Sequence, residues 1–336
     1  MSDAGGQNRT RWRRFRERID LSIVIPLLVG LGTLAYVAYL GVSRHSSAEF
    51  ATIVGETWWL VLLLTFPYLG ARILVWRDLL EQLGIHVTPR QLIVAFAGGE
   101  VTKSLPAGVY VQNYLLERMQ HLSLRATIRS TTATTAMLGL ESLLAVVVAL
   151  VLGLPGVPWL RWVVLGIVGA WVVVLILLWA LINWRVEHMT PRLAPWRQKL
   201  IGASDQFFMA VEELLRLRTL WNLAPTAVYM LIYVIWLDAI LNADGIHLSF
   251  LRVMSVYAVM VLAVILVPIP TEIGITEITG LGALMALGIP RPAAALAVLS
   301  LRLLGTGSTV LIALIALAVA ARQLQTEQSD EAAAAG

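Results

Sequence analysis

Cysteine is missing from all 336 residues of this chain. Its absence excludes disulfides, thiolate metal sites and cysteine nucleophiles together. Charge is scarce too: Asp, Glu, Lys and Arg make up 14% of the residues, against about a quarter in soluble domains. Five histidines (His45, His86, His121, His188, His247) are scattered, with no close pair of the zinc-peptidase kind. Gly280-Leu281-Gly282 lacks the strand, the following lysine and the acidic partner of a nucleotide loop. Neither a metal nor a cofactor is expected, and transport driven by ATP on this chain alone is disfavoured. The short alternating segments of a transmembrane barrel are also lacking.

What the chain has instead is apolar sequence, 58% hydrophobic with a mean hydropathy of +0.79. Long unbroken apolar runs predict an all-α, polytopic helical membrane protein. Spans are expected at 21–42, 52–76, 131–152, 159–184, 223–241, 250–267 and 292–321. Residues 273–289 form a glycine-rich stretch short of a full crossing, and we expect it to re-enter. The total is about seven to eight spans with two re-entrant or broken hairpins.

The net charge of +4 comes almost wholly from arginine, which reports topology and anionic headgroups; no nucleic acid is expected. Residues 1–20 hold a basic, aromatic segment expected in the cytoplasm. The run 21–42 is longer than a signal-peptide core and reads as a retained first span. Arg72 and Arg77 are expected to end the second span on the cytoplasmic side. The polar stretch 185–220 carries Arg185, Arg192, Arg197, Lys199, Arg216 and Arg218 and is expected there too. Within it, 201–217 reads as an amphipathic helix that lies on the membrane or caps the bundle. Asp238, with Tyr229, Tyr233 and Trp236 nearby, reads as an outer interfacial anchor. Residues 131–136 (Thr-Thr-Ala-Thr-Thr-Ala) read as a small-residue packing face. The tail 322–336 is acidic, small-residued and expected to be disordered. Arginine in place of lysine suggests a bacterial chain, placed in the cell (inner) membrane with its N-terminus cytoplasmic.

Two breaks interrupt the apolar sequence. The first is Gly98-Gly99-Glu100-Val101-Thr102-Lys103-Ser104-Leu105-Pro106-Ala107-Gly108; the second is Pro268-Ile269-Pro270-Thr271-Glu272-Ile273-Gly274-Ile275-Thr276-Glu277. Non-helical backbone at membrane depth survives only inside protein or along a wet cavity. Paired interruptions in the two halves of a membrane protein point to a transport site. An ionisable residue inside a span costs roughly 2.5–3.5 kcal/mol on insertion scales, so each is a candidate for function. The candidates are Glu100, Lys103, Glu141, Glu272, Glu277 and Arg302. Glu100 and Lys103 stand at i, i+3, where they can neutralise each other, and Glu277 or Glu272 can pair with Arg302. Two readings stay open: structural ion pairs that lock hairpins to the bundle, or a polar mid-membrane cavity for a lipid headgroup.

Several of these residues occur in a familiar order. Arg72, Leu79/Leu83-Gly84, Leu105-Pro106 with Gly108, and Glu141 within a span come first. Pro270, Gly274 and Glu277 in a Pro-x-x-x-Gly-x-x-Glu element, Leu287-Gly288 and Arg302 follow. From about residue 20 to 321 the chain resembles the lysylphosphatidylglycerol synthase transmembrane-region family, the flippase-like module of multiple peptide resistance factor proteins. The resemblance implies a flippase-like domain over 21–321, without the synthase domain. It implies a lipid substrate, such as an anionic or aminoacylated phospholipid, with a separate lipid-synthesis enzyme as partner, and it allows a homo-oligomer. The substrate-binding residues expected are Glu100, Lys103, Pro106, Gly108, Glu141, Pro270, Glu272, Gly274, Glu277 and Arg302. Thr271 and Glu272 stand where members usually have glycines, and Ser142 where they usually have arginine. Thr102 and Lys103 stand near the place of a common asparagine. These departures bear on the identity of the lipid. Alternatives are an intramembrane lipid-modifying transferase with Glu277 or Glu272 as base, a non-transporting scaffold for a synthesis partner, and a small-solute transporter.

Overall fold

A computed structural model of the chain describes residues 47–103, 108–120, 122–153, 195–266 and 274–320, with isolated positions elsewhere. The expected spans 21–42 and 159–184 lie largely outside the described residues. So do 1–20, 322–336 and three expected site residues, Pro106, Pro270 and Glu272. The described elements are all helices.

The second expected span is longer than its apolar core suggested: α1 runs Ser47–Gln82. Two short helices follow, α2 (Pro89–Thr102) and α3 (Val111–Gln120), joined through a 3-10 turn at Gly108–Tyr110. At 1.5 Å per residue they are about 21 and 15 Å long, too short to cross a hydrocarbon core of about 30 Å. They fold back on each other as a hairpin, because Gly98 and Gly99 leave room for Leu115 and Gln112. A capping box of Thr88 and Gln91, with Pro89 in the first turn, starts α2.

Helix α4 (Leu124–Leu152) begins at Ser123, whose hydroxyl accepts from the Ala126 N–H. Helix α5 (Pro195–Leu214) is the amphipathic segment, and it packs against α4 and α1. A single turn, α6 (Leu217–Leu220), leads into α7 (Leu223–Ala243), which is apolar on every side and packs chiefly against α1. Helix α8 (Phe250–Leu266) and the shorter α9 (Ile275–Ala286) pack together on either side of the second break. The last helix, α10, spans Arg291–Ala320 and contains a π turn at Arg302–Thr306.

Four of these helices are long and apolar enough to cross a membrane: Phe50–Gln82, Leu124–Leu152, Leu217–Ala243 and Arg291–Ala320. The chain is a polytopic helical membrane protein.

Polar side chains gather at one end of the bundle. Asp78 of α1 accepts from Arg218 and Asn222, Gln82 accepts from Thr219, and Arg129 of α4 donates to the Leu83 carbonyl and to Glu213 of α5. Gln120, ending α3, donates to the His86 carbonyl and to Gln91, so both ends of the α2–α3 hairpin sit here. Its tip is therefore directed away from this end, into the bundle.

Candidate functional site

Helix α2 carries Glu100 near its C-terminus, where the chain is about to turn. The Glu100 carboxylate lies 2.9 Å from Arg72 Nη1 of α1 and 3.0 Å from Lys103 Nζ. Arg72, Glu100 and Lys103 are 4%, 3% and 8% exposed, so three charges sit in the core. Arg72 is about 15 Å from the Gln82 end of α1, roughly half-way through a bilayer core. That corrects its expected place at the end of a span. The guanidinium also donates to the Tyr68 hydroxyl at 3.0 Å and lies 5.7–6.0 Å from the rings of Tyr229 and Phe96.

The hairpin tip is shaped for this. The Thr102 hydroxyl lies 2.8 Å from both the Gly98 and the Gly108 carbonyl oxygens, with one proton to share between them, and ties the end of α2 to the start of the 3-10 turn. A Cβ at Gly108 would collide with the Thr102 carbonyl, so only glycine fits.

Beneath the tip lies a polar network that the sequence did not reveal. Thr134 accepts from Trp76 Nε1 (3.1 Å) and Gln112 Nε2 (2.8 Å) and donates to Asn113 Oδ1 (3.0 Å), which also accepts from Ser130 at 2.7 Å. All five residues are buried. The threonine run thus does more than offer small packing surface. The available signal was Gln112-Asn113 set in the otherwise apolar stretch 109–116.

The second site begins at Gly274, whose φ of +91° suits glycine. Its N–H donates to Glu277 Oε2 at 2.6 Å, and the Thr276 hydroxyl donates to the same oxygen at 2.9 Å. Glu277 is thus held over the first turn of α9, where a carboxylate is favoured. Its Oε1 lies 3.1 Å from Arg302 Nε, and Glu277 is 1% exposed. Arg302 opens the π turn of α10, about 16 Å from the Arg291 end. The expected Glu277–Arg302 pair is present.

An aromatic wall separates the two clusters. Tyr68 packs on Trp236 (centroids 5.0 Å) and edge-on to Tyr229 (6.0 Å), and Trp236 packs on Tyr233 (5.6 Å). Trp236 also closes over Gly305 of the π turn, where a Cβ would come within 3.2–3.3 Å of its ring. Tyr233 stacks on Tyr257 at 4.7 Å, and the Tyr257 hydroxyl donates to Glu141 Oε1 at 3.0 Å. So Glu141 joins the same assembly, while Asp238 pairs apart from it with Asn242 near the end of α7. Tyr229 and Trp236 are buried in the core, so they take no part in the outer interfacial anchor expected around Asp238.

The structure therefore assembles Glu100, Lys103, Gly108, Glu141, Gly274, Glu277 and Arg302 from the expected set, and adds Arg72. No group of three His, Asp or Glu among the described residues could hold a metal ion.

Residues 23–322 match the family model described as the lysylphosphatidylglycerol synthase TM region, and the chain belongs to that family. No curated protein matches it. The family is that of a membrane protein concerned with lipids.

Proposed function

We propose, from this family membership, that the protein is a lipid translocase that passes a phospholipid headgroup, anionic or aminoacylated, between leaflets. One observation carries the reading. Two buried ion clusters lie near mid-depth, each at the broken end of a short helix, and share one aromatic wall. Charged side chains at that depth cost free energy that lipid alone does not return. Lys103 and Arg302 offer full positive charge to a phosphate, while Glu141, Glu100 and Glu277 suit a cationic or hydroxylated headgroup. Gly108 and Gly274 shape the two breaks. Pro106, Pro270 and Glu272 belong to the same breaks in sequence and count among the proposed substrate-binding residues. The protein is placed in a bacterial cell membrane with its basic face cytoplasmic, and it works beside a separate lipid-synthesising enzyme.

The test is leaflet exchange. Purified protein is reconstituted in liposomes carrying fluorescent phospholipids, and an impermeant quencher reads the fraction of lipid that changes leaflet. Wild type accelerates exchange, and Arg302→Ala and Glu277→Gln lose it while staying folded. Folded wild type that exchanges none of several headgroups would sink the proposal and favour a transferase or a scaffold.

A further inference from the structure

Away from the two ion clusters, the short link between α5 and α7 inverts the usual pattern of a surface turn. Leu215, Leu217 and Trp221 are 81%, 77% and 79% exposed, and Leu220 is exposed as well. Two of the polar residues of this stretch, Thr219 and Asn222, face inward instead. Thr219 and Asn222 are buried, donating to Gln82 and Asp78 at 2.7 and 2.8 Å, and Arg218 donates to Asp78 at 2.7 Å. The link is also fixed along its backbone: Thr219 N–H donates to the Arg216 carbonyl, Trp221 to Arg218 and Asn222 to Thr219. At the end of α5, Arg129 holds Glu213 at 2.6 Å. A turn pinned on its polar side cannot rotate its leucines and tryptophan out of the solvent they meet.

That solvent is identified by what stands around it. The link continues directly into α7, the apolar core of the span Leu217–Ala243. Arg216 is exposed on the link. Arg125 and Leu124 are exposed at the start of α4, the same end of the bundle that Arg129 ties to α5. Tryptophan and arginine beside apolar side chains suit the headgroup boundary, where the ring lies flat and the arginine reaches phosphate. Arg216 and Arg218, both exposed, set positive charge beside the apolar side chains, which complements a layer of anionic headgroups.

We infer that Leu215–Trp221 is an interfacial anchor that inserts Leu215, Leu217 and Trp221 into the boundary of a leaflet bearing anionic phospholipid, with Arg216 on its headgroups. The site is separate from the proposed translocation path and stands whether or not that reading does. It fixes the height of α7, and through Trp236 the height of the aromatic wall.

The chain's lack of cysteine makes the test direct. A single Leu217→Cys substitution in the full chain carries a nitroxide, in vesicles of phosphatidylcholine alone or with added phosphatidylglycerol. The anchor places the label where collisions with oxygen exceed those with a water-soluble nickel chelate. Added phosphatidylglycerol moves it deeper, and Arg216→Gln removes that shift. A label open to the nickel chelate in both vesicles overturns the anchor. A label shielded from both reagents overturns it in favour of a protein partner or a second copy. A depth indifferent to phosphatidylglycerol overturns the anionic preference. Leu217 is exposed, so the label does not challenge folding; circular dichroism and elution volume check this.

Discussion

A carboxylate between two cations in the core is sensitive to the loss of any one of them. Removing one partner from a buried ion cluster costs about 3–5 kcal/mol, because the charges left behind are still desolvated. Glu100→Ala, which leaves Arg72 and Lys103 facing each other, is expected to fall in that range by thermal unfolding of the purified protein. Replacing all three with Arg72→Met, Glu100→Leu and Lys103→Met should restore folding and abolish lipid exchange. Recovery of both would return the cluster to a purely structural role. Gly108→Ala is expected to cost about 1–3 kcal/mol by overpacking against the Thr102 carbonyl, again read by thermal unfolding. The sequence exposed part of this cluster. Glu100 and Lys103 are neighbours at helical spacing and so could be paired on paper. Arg72 could not: counted by position, an arginine near the end of an apolar run looks like a topology marker, and only the fold shows α1 continuing ten residues past it.

Among the elements, the long helices were the most legible, because four continuous apolar runs leave little choice. Short helices were less so. Residues 90–120 have mixed character because α2 and α3 bury Glu100, Gln112 and Asn113 against protein, which hydropathy scores as if they faced lipid or water. Pairing of α3 with α4 through Thr134 is a contact between side chains about twenty residues apart, and no local pattern encodes it. Helix α5 was open between lying on the membrane and capping the bundle; it packs on α4 and α1, and its Glu213 pairs with Arg129. Arg129→Ala removes a charge-assisted bond to Glu213 and another to the Leu83 carbonyl. At about 1.5–3 kcal/mol for a hydrogen bond to a charged group, local opening of α5 should become tens-fold more frequent. Hydrogen exchange should show faster amides in α5 and unchanged ones in the middle of α7; uniform acceleration would mean that α5 is part of the global fold.

For the whole molecule, the two ends of α7 decide which face is which. At 1.5 Å per residue the helix is about 31 Å long, so its ends lie on opposite sides of a bilayer. The end by Arg216, Arg218, Arg125 and Arg129 is basic, and the other ends beside Asn242, whose side-chain Nδ2 donates to Asp238 and whose Oδ1 meets His247 Nδ1. The charge rule puts the basic end inside. Single cysteines at Arg216 and His247, probed with an impermeant maleimide, should give label on His247→Cys in intact cells. Arg216→Cys should be labelled only after lysis. The reverse result would invert the protein and the direction of any lipid movement drawn from it.

The π turn at Arg302–Thr306 has a consequence for comparing this chain with others. A π turn holds one residue more than the α turn it replaces, so the helix before it and the helix after it are set out of step. At the level of the gene, such a turn is equivalent to one extra codon in an apolar run. A relative whose last span is α-helical throughout aligns with this chain only by opening a one-residue gap between 302 and 306. An ungapped alignment would match Arg302 correctly and then misassign every lipid-facing position that follows.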